Sequence, residues 1–162
     1  MKTILFVCTG NTCRSSMAEA ILISILKENN AAEKIKVISA GTGAFSGDHA
    51  SPNSIKVMEE KGIDISGHRS TLLSRELIDE AAIILTMTQN HKRNVLRLAP
   101  DAAEKVFTLK EFSYGDDVDL NERNDILDPF GHSIEVYKSC RDEIEEALRR
   151  AWEKRYFKFC VE

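Results

Sequence analysis

Near the N-terminus a thiol and a guanidinium stand at either side of a short loop, Cys8-Thr9-Gly10-Asn11-Thr12-Cys13-Arg14-Ser15. A thiolate is a nucleophile, and the planar fork of Arg14 can grip two oxygens of a phosphate or similar oxyanion. Gly10 lets the intervening backbone turn tightly, so that neighbouring N–H groups converge. A nucleophile inside an oxyanion cradle still needs an acid, because a thiolate attacking phosphorus must expel an alkoxide, phenolate or amine. Asp128 is the candidate: Pro129 stiffens the chain after the carboxylate and Phe130 offers an apolar wall beside it. By composition Asp116, Asp117, Asp119 and Asp125 compete, and adjacency to Pro129 is the only local discriminator.

The elements around these residues must place them at one edge of a sheet. Residues 3–8 form a short apolar run, and Ala18, Ile21, Leu22, Ile25 and Leu26 then recur at helical spacing as far as Asn29-Asn30. The loop with Cys8 and Arg14 thus lies where a strand ends and a helix begins, which is where ligands bind in open parallel sheets. The N–H groups and positive end of that helix favour an anion, and the same field favours thiolate over thiol. A second strand over Ile35 to Ser39 leads through Ala40-Gly41-Thr42-Gly43 to a helix with Ser51 as N-cap, Pro52 at its first position and Gly62 past its end. Ala82 to Thr86 reads as a third strand, Gln89 to Leu98 as the helix after it, and Val106-Phe107-Thr108 as a weaker fourth strand. Tyr114 to Asp128 is polar, acidic and aperiodic, as a functional loop would be. One last helix is expected from about Ser133 towards Phe159. Strands alternating with helices imply an α/β fold, a four-stranded parallel sheet with helices on both faces.

Composition narrows the class. The 162 residues, 43% hydrophobic and 30% charged, suit one domain spanning 1–162 with a core that needs no staple. No run is long enough to cross a membrane, and the apolar start is too short for a signal segment, so a cytoplasmic chain with no membrane partner is expected. Net charge is −4, and residues 101–162 hold 10 Lys/Arg against 16 Asp/Glu, the reverse of a nucleic-acid footprint. The four cysteines, Cys8, Cys13, Cys140 and Cys160, lack the spacing of zinc knuckles. No metal or cofactor is expected.

Val7 to Ser15, Ser39-Ala40-Gly41-Thr42 and Asp128-Pro129-Phe130-Gly131 together resemble the low-molecular-weight protein-tyrosine phosphatases over nearly the whole chain. The resemblance implies hydrolysis of phosphorylated protein side chains through a phosphocysteine intermediate without a metal, releasing inorganic phosphate. It makes Cys8 the nucleophile, Arg14 the phosphate ligand, and Asp128 the acid that later activates water. Thr9, Gly10, Asn11, Thr12, Cys13 and Ser15 become the phosphate-binding loop, with Ser15 donating to the thiolate. Asn11, Ser39 and His68 become the network that holds the loop. Phe45 and Phe130 become cleft walls, and Cys13 a redox partner that can form a protective disulfide with Cys8. Thr12, Val106 to Glu111, and Asp128 to Gly131 followed by Ser133-Ile134 further resemble bacterial protein-arginine phosphatases, so phosphoarginine is the first choice of substrate and phosphotyrosine the alternative. Ser16 departs from the family's usual proline.

Plainer readings stand beside these. A lone cysteine at a strand end is often a small buried hydrophobe, Phe45 can belong to the core, and Cys13 can simply pack at the helix start. His49, His91 and His132 lack a partner pattern and read as solvated, as do the loop acids apart from Asp128. Two rival functions remain: a thiol-dependent arsenate reductase, which needs further thiols that residues 80–100 do not supply, and a silent phosphoresidue-binding module.

Overall fold

The computed structural model describes residues 1–115 and 124–162; Asp116, Asp117 and Asp119 lie outside them. Four strands, β1 (Lys2–Cys8), β2 (Ile35–Gly41), β3 (Ala81–Thr86) and β4 (Val106–Thr108), form one sheet in the order β2-β1-β3-β4. All three pairings are parallel, and Cys8 sits opposite Gly41. β1 therefore connects outward to β2 on one side while its other neighbour is β3. The crevice at the C-terminal ends of β1 and β3 is the switch point of the sheet, the place where such folds bind ligands.

The helices are α1 (Arg14–Glu28), α2 (Pro52–Glu59), α3 (Arg75–Glu80), α4 (Gln89–Leu98), α5 (Leu109–Tyr114), α6 (Ile134–Glu153) and α7 (Lys158–Val161), with a 3₁₀ helix at Pro100–Lys105. Strand alternation divides the core. Ile4, Phe6 and Cys8 point to the face covered by α1 and α6, where they meet Met17, Leu22, Ile144 and Leu148. Leu5 and Val7 point to the opposite face, against Ile78, Val95 and Ala102. Helices thus cover both faces, as expected. The period of two also decides that the Cys8 side chain is on the α1 side, facing the helix that begins at Arg14.

Three elements depart from the sequence reading. α3 and α5, six residues each, are too short to show a helical period; what sets them are the N-caps Ser74 and Thr108. Thr108 and Glu111 form a reciprocal capping box, and Tyr114, where the sequence reading begins a loop, is still helical. The last helix does not run on to Phe159. It ends at Glu153, the chain turns through Arg155 at φ 62, and a separate short helix follows. Among the described residues, no helix is long and apolar enough to cross a membrane.

Candidate active site

The loop from the end of β1 to the start of α1 is held from outside by its carbonyl groups. Cys8 O accepts from Thr42 N (2.9 Å), Thr9 O from Gly43 N (3.0 Å), Thr12 O from Ser51 N (2.9 Å) and Cys13 O from Met17 N (3.0 Å). In a planar trans peptide the C=O and the following N–H point in opposite directions. Anchoring these carbonyls outward turns the N–H groups that follow them, at Thr9, Gly10, Cys13 and Arg14, towards the hollow of the loop. Gly41 makes this possible from the β2 side. A Cβ there would lie 2.9 Å from both Asn11 N and Ala44 Cβ, and would strike the Thr9 carbonyl.

The tight turn was expected at Gly10, but the left-handed residue is Asn11, with φ 58. Asparagine tolerates that region, and here its side chain is fastened at every polar atom. Thr71 N donates to Oδ1 (2.9 Å), which fixes the amide's orientation, and Nδ2 donates to Ser15 Oγ (2.8 Å) and Ser39 Oγ (2.9 Å). Ser15 Oγ accepts from Asn11 and keeps its own proton available for Cys8 Sγ, 2.8 Å away, and Ser39 donates to Glu19 Oε2 (3.2 Å). Asn11 N also donates to Cys8 Sγ (3.3 Å). His68 Nε2 donates to the Asn11 carbonyl (2.7 Å), and its Nδ1 lies 3.6 Å from Glu19 Oε2. Burial works against protonation of His68, but the Glu19 carboxylate and the Asn11 carbonyl prevail and raise its pKa. The expected trio of Asn11, Ser39 and His68 is therefore one connected network, and Glu19 closes it.

Cys13 is bonded in the opposite sense. Ser51 Oγ donates to Ser54 Oγ (2.7 Å), so towards Cys13 it can only accept, and Cys13 Sγ donates to it at 3.3 Å. Tyr137 OH lies 3.6 Å from the same sulfur. Cys8 accepts from Asn11 N, whereas Cys13 donates to Ser51. At Ser16, in place of a helix-start proline, Oγ donates to Cys13 O (2.9 Å) and helps close the first turn of α1.

Arg14, the first residue of α1, is 5% exposed. Its Nη1 donates to Ile126 O (2.9 Å), and its Nη2 lies 3.5 Å from Asp128 Oδ2. Asp128 Oδ1 accepts from Phe130 N (3.1 Å), which aims the other oxygen at the guanidinium. The segment before it is clipped to the sheet: Ile126 N donates to Met87 O (2.8 Å) and Gln89 N to Asp125 Oδ1 (2.8 Å). Asp125, expected to be solvated or a rival acid, is instead engaged by the first N–H of α4. Cys8, Thr9, Gly10, Thr12, Cys13, Arg14, Asp128 and Phe130 line a cavity of about 230 Å³. Phe45 is 81% exposed and is not among these lining residues.

His91 is a correction. It is 3% exposed, not solvated, and its Nε2 lies 2.8 Å from Thr9 Oγ1. Burial and then Arg14 push its pKa down to about 4, against the pull of Asp125 and Asp128. Its position early in the helix that follows β3, at the sheet's switch point, was the available signal. Cys140 and Cys160 are buried outside the cavity, and burial pushes Cys140 up to about 12.

Such a site is shaped to hold a tetrahedral oxyanion over a sulfur with a carboxyl group across from it. Comparison with known proteins agrees: residues 3–155 match the family model for low molecular weight phosphotyrosine protein phosphatases. The chain belongs to that family. It is 47% identical over 151 residues to a protein-arginine-phosphatase of Geobacillus stearothermophilus, covering 93% of this chain and 94% of the relative. A protein-arginine-phosphatase of Bacillus subtilis is 43% identical over 147 residues, 91% of this chain and 92% of its own. Among solved structures, the YwlE arginine phosphatase in a cysteine-to-serine mutant form with a phosphorylated active-site serine superposes with a TM-score of 0.88 at 39% identity, covering 99% of each chain.

Proposed function

We propose that residues 1–162 act as a single phosphatase domain that removes the phosphoryl group from phosphoarginine in proteins, with Cys8 as nucleophile. The observation that carries this is the cavity in which a donor-stabilised sulfur, the Arg14 fork and the Asp128 carboxyl face one space. Arg14 and the inward N–H groups hold the phosphoryl oxygens, and Cys8 Sγ attacks phosphorus in line. The S–P bond forms as the P–N bond breaks, and Asp128 delivers its proton to the departing guanidino nitrogen. Water then attacks the phosphocysteine, Asp128 takes its proton, and thiolate and inorganic phosphate are released. Nucleophile, charge stabilisation and proton transfer all come from side chains and backbone, so these steps call on no metal or cofactor.

Thr12 supports the guanidino substrate. It lines the cavity with a hydroxyl, and a guanidinium brings several N–H donors that need acceptors once desolvated. The names of the two relatives point the same way. Phe130, 72% exposed at the cavity, favours phosphotyrosine as the second reading, since it offers a ring for a phenyl group to pack on. Phe45 would serve as an outer wall of the same mouth. An arsenate reductase would need a further reactive thiol, and buried Cys140 does not provide one. Cys13, sharing the cavity with Cys8, is the candidate partner for a protective disulfide. Phosphorylated proteins in the cytoplasm, rather than nucleic acids or membranes, are the proposed partners. Initial rates on matched phosphoarginine and phosphotyrosine peptides test the reading: kcat/KM is expected to be higher on phosphoarginine, and a higher value on phosphotyrosine overturns the substrate assignment.

A further inference from the structure

His91 is buried beside the cavity, and the mechanism above gives it no task. Its Nδ1 has no hydrogen-bond partner among the described residues, while its Nε2 is 2.8 Å from Thr9 Oγ1. The two nitrogens of a neutral imidazole share one proton. Placed on Nδ1, that proton would be a buried N–H with no acceptor, a rarer and costlier fault than an unused lone pair. It therefore belongs on Nε2. A second proton would put the same orphaned donor on Nδ1 and add a buried cation facing Arg14; burial and Arg14 hold the pKa near 4 although Asp125 and Asp128 pull it up. With Nε2–H donating to it, Thr9 Oγ1 is the acceptor in this pair and keeps its own proton for another partner. Thr9 follows the nucleophile and lines the cavity beside Cys8, Gly10 and Arg14.

We infer that neutral His91 is a positioning residue that fixes the Thr9 hydroxyl as a hydrogen-bond donor to the bound phosphoryl group. The pair spans the switch point of the sheet, with Thr9 after β1 and His91 near the start of the helix after β3. His91 thereby ties the β3 side of the crevice to the phosphate loop and leaves Arg14 as the cation that meets the substrate. The inference rests on the phosphatase reading of the same cavity.

Nitrogen-15 NMR of the imidazoles in the unaltered chain at pH 7 should find His91 neutral with its proton on Nε2. Thr9→Val should weaken competitive inhibition by inorganic phosphate roughly tenfold or more, the loss of a hydrogen bond to a charged group. His91→Leu should do about the same, and His91→Gln should restore most of it, because an amide N–H can take the place of Nε2–H. The double variant Thr9→Val/His91→Leu should bind phosphate no worse than Thr9→Val alone, since His91 acts through Thr9. A proton on Nδ1, an imidazolium at pH 7, or unchanged phosphate affinity in Thr9→Val overturns the inference, and the tautomer measurement decides even if His91→Leu fails to fold. Turnover of an aryl phosphate by the unaltered chain keeps the two questions apart. With turnover intact, those results refute only the role of His91; without turnover, the phosphatase reading itself fails.

Discussion

Hydrogen-bond direction distinguishes the two cysteines that share the cavity. Around Cys8, Asn11 N donates to the sulfur, and the Asn11 amide, fixed by Thr71 N, donates to Ser15 so that the Ser15 proton stays available to Sγ. Around Cys13 the chain of donors runs outward through Ser51 to Ser54. Across the cavity, Asp128 has one oxygen held by Phe130 N and the other directed to Arg14. Asp128→Asn keeps that shape and removes the transferable proton. It should lower kcat/KM on a phosphoarginine peptide by about 100- to 10,000-fold, and by much less on an activated aryl phosphate whose leaving group needs no proton. Equal losses on both substrates would show that Asp128 positions the phosphate instead of serving the leaving group. Cys8, Arg14 and Asp128 were singled out by residue type and spacing, and the structure sets all three around one cavity. His91, Glu19 and Asp125 were not, because their roles depend on contacts between segments far apart in the chain, and an isolated histidine or acid in sequence looks solvated.

At the scale of elements, Asp128 lines the same cavity as Cys8 only because three segments meet at the ends of β1 and β3. The segment carrying Asp128 is pinned at Ile126 N to Met87 O, at Ile126 O to Arg14, and at Asp125 to the first N–H of α4. Asp125→Ala removes the last clip and leaves Asp128 chemically intact. Misplacing a catalytic group by about an ångström costs up to roughly 100-fold, so kcat/KM on phosphoarginine peptides should fall about 10- to 100-fold, while inorganic phosphate still binds because its cradle is untouched. Weakened phosphate binding of the same size would mean that the clip supports the loop itself. The strands and the longer helices were readable because apolar period and caps agree, as at Ser51-Pro52. α3 and α5 escaped because six residues give no period, although the Thr108–Glu111 capping box was present in the sequence. The break after Glu153 escaped because the left-handed turn at Arg155 carries no glycine to announce it.

Across the whole molecule, two histidines, His91 buried and His68 partly buried, tie loop geometry to pH in opposite directions. His68 has a raised pKa, so its contribution to stability is complete below its ordinary value of 6.5 and is lost as pH climbs through the raised value. The advantage of the unaltered chain over His68→Gln in thermal unfolding should therefore shrink as pH rises above 6.5; a difference that does not change with pH would remove the charge on His68 from the account. His91 is depressed to about 4 and must take up a proton on unfolding, so its effect is lost stability as pH falls from 6.5 towards 4. Both histidines act at one loop, and that loop matters for the sulfur it presents. Rapid acid quench of the enzyme during turnover of a phosphoarginine peptide, followed by peptide mass spectrometry, addresses that sulfur directly. A transient phosphoryl group on Cys8 that goes on to free phosphate, with phosphate release lost in Cys8→Ser although that variant still binds phosphate, is the predicted result; a phosphoryl group at a position other than 8, or undiminished phosphate release by Cys8→Ser, would contradict it.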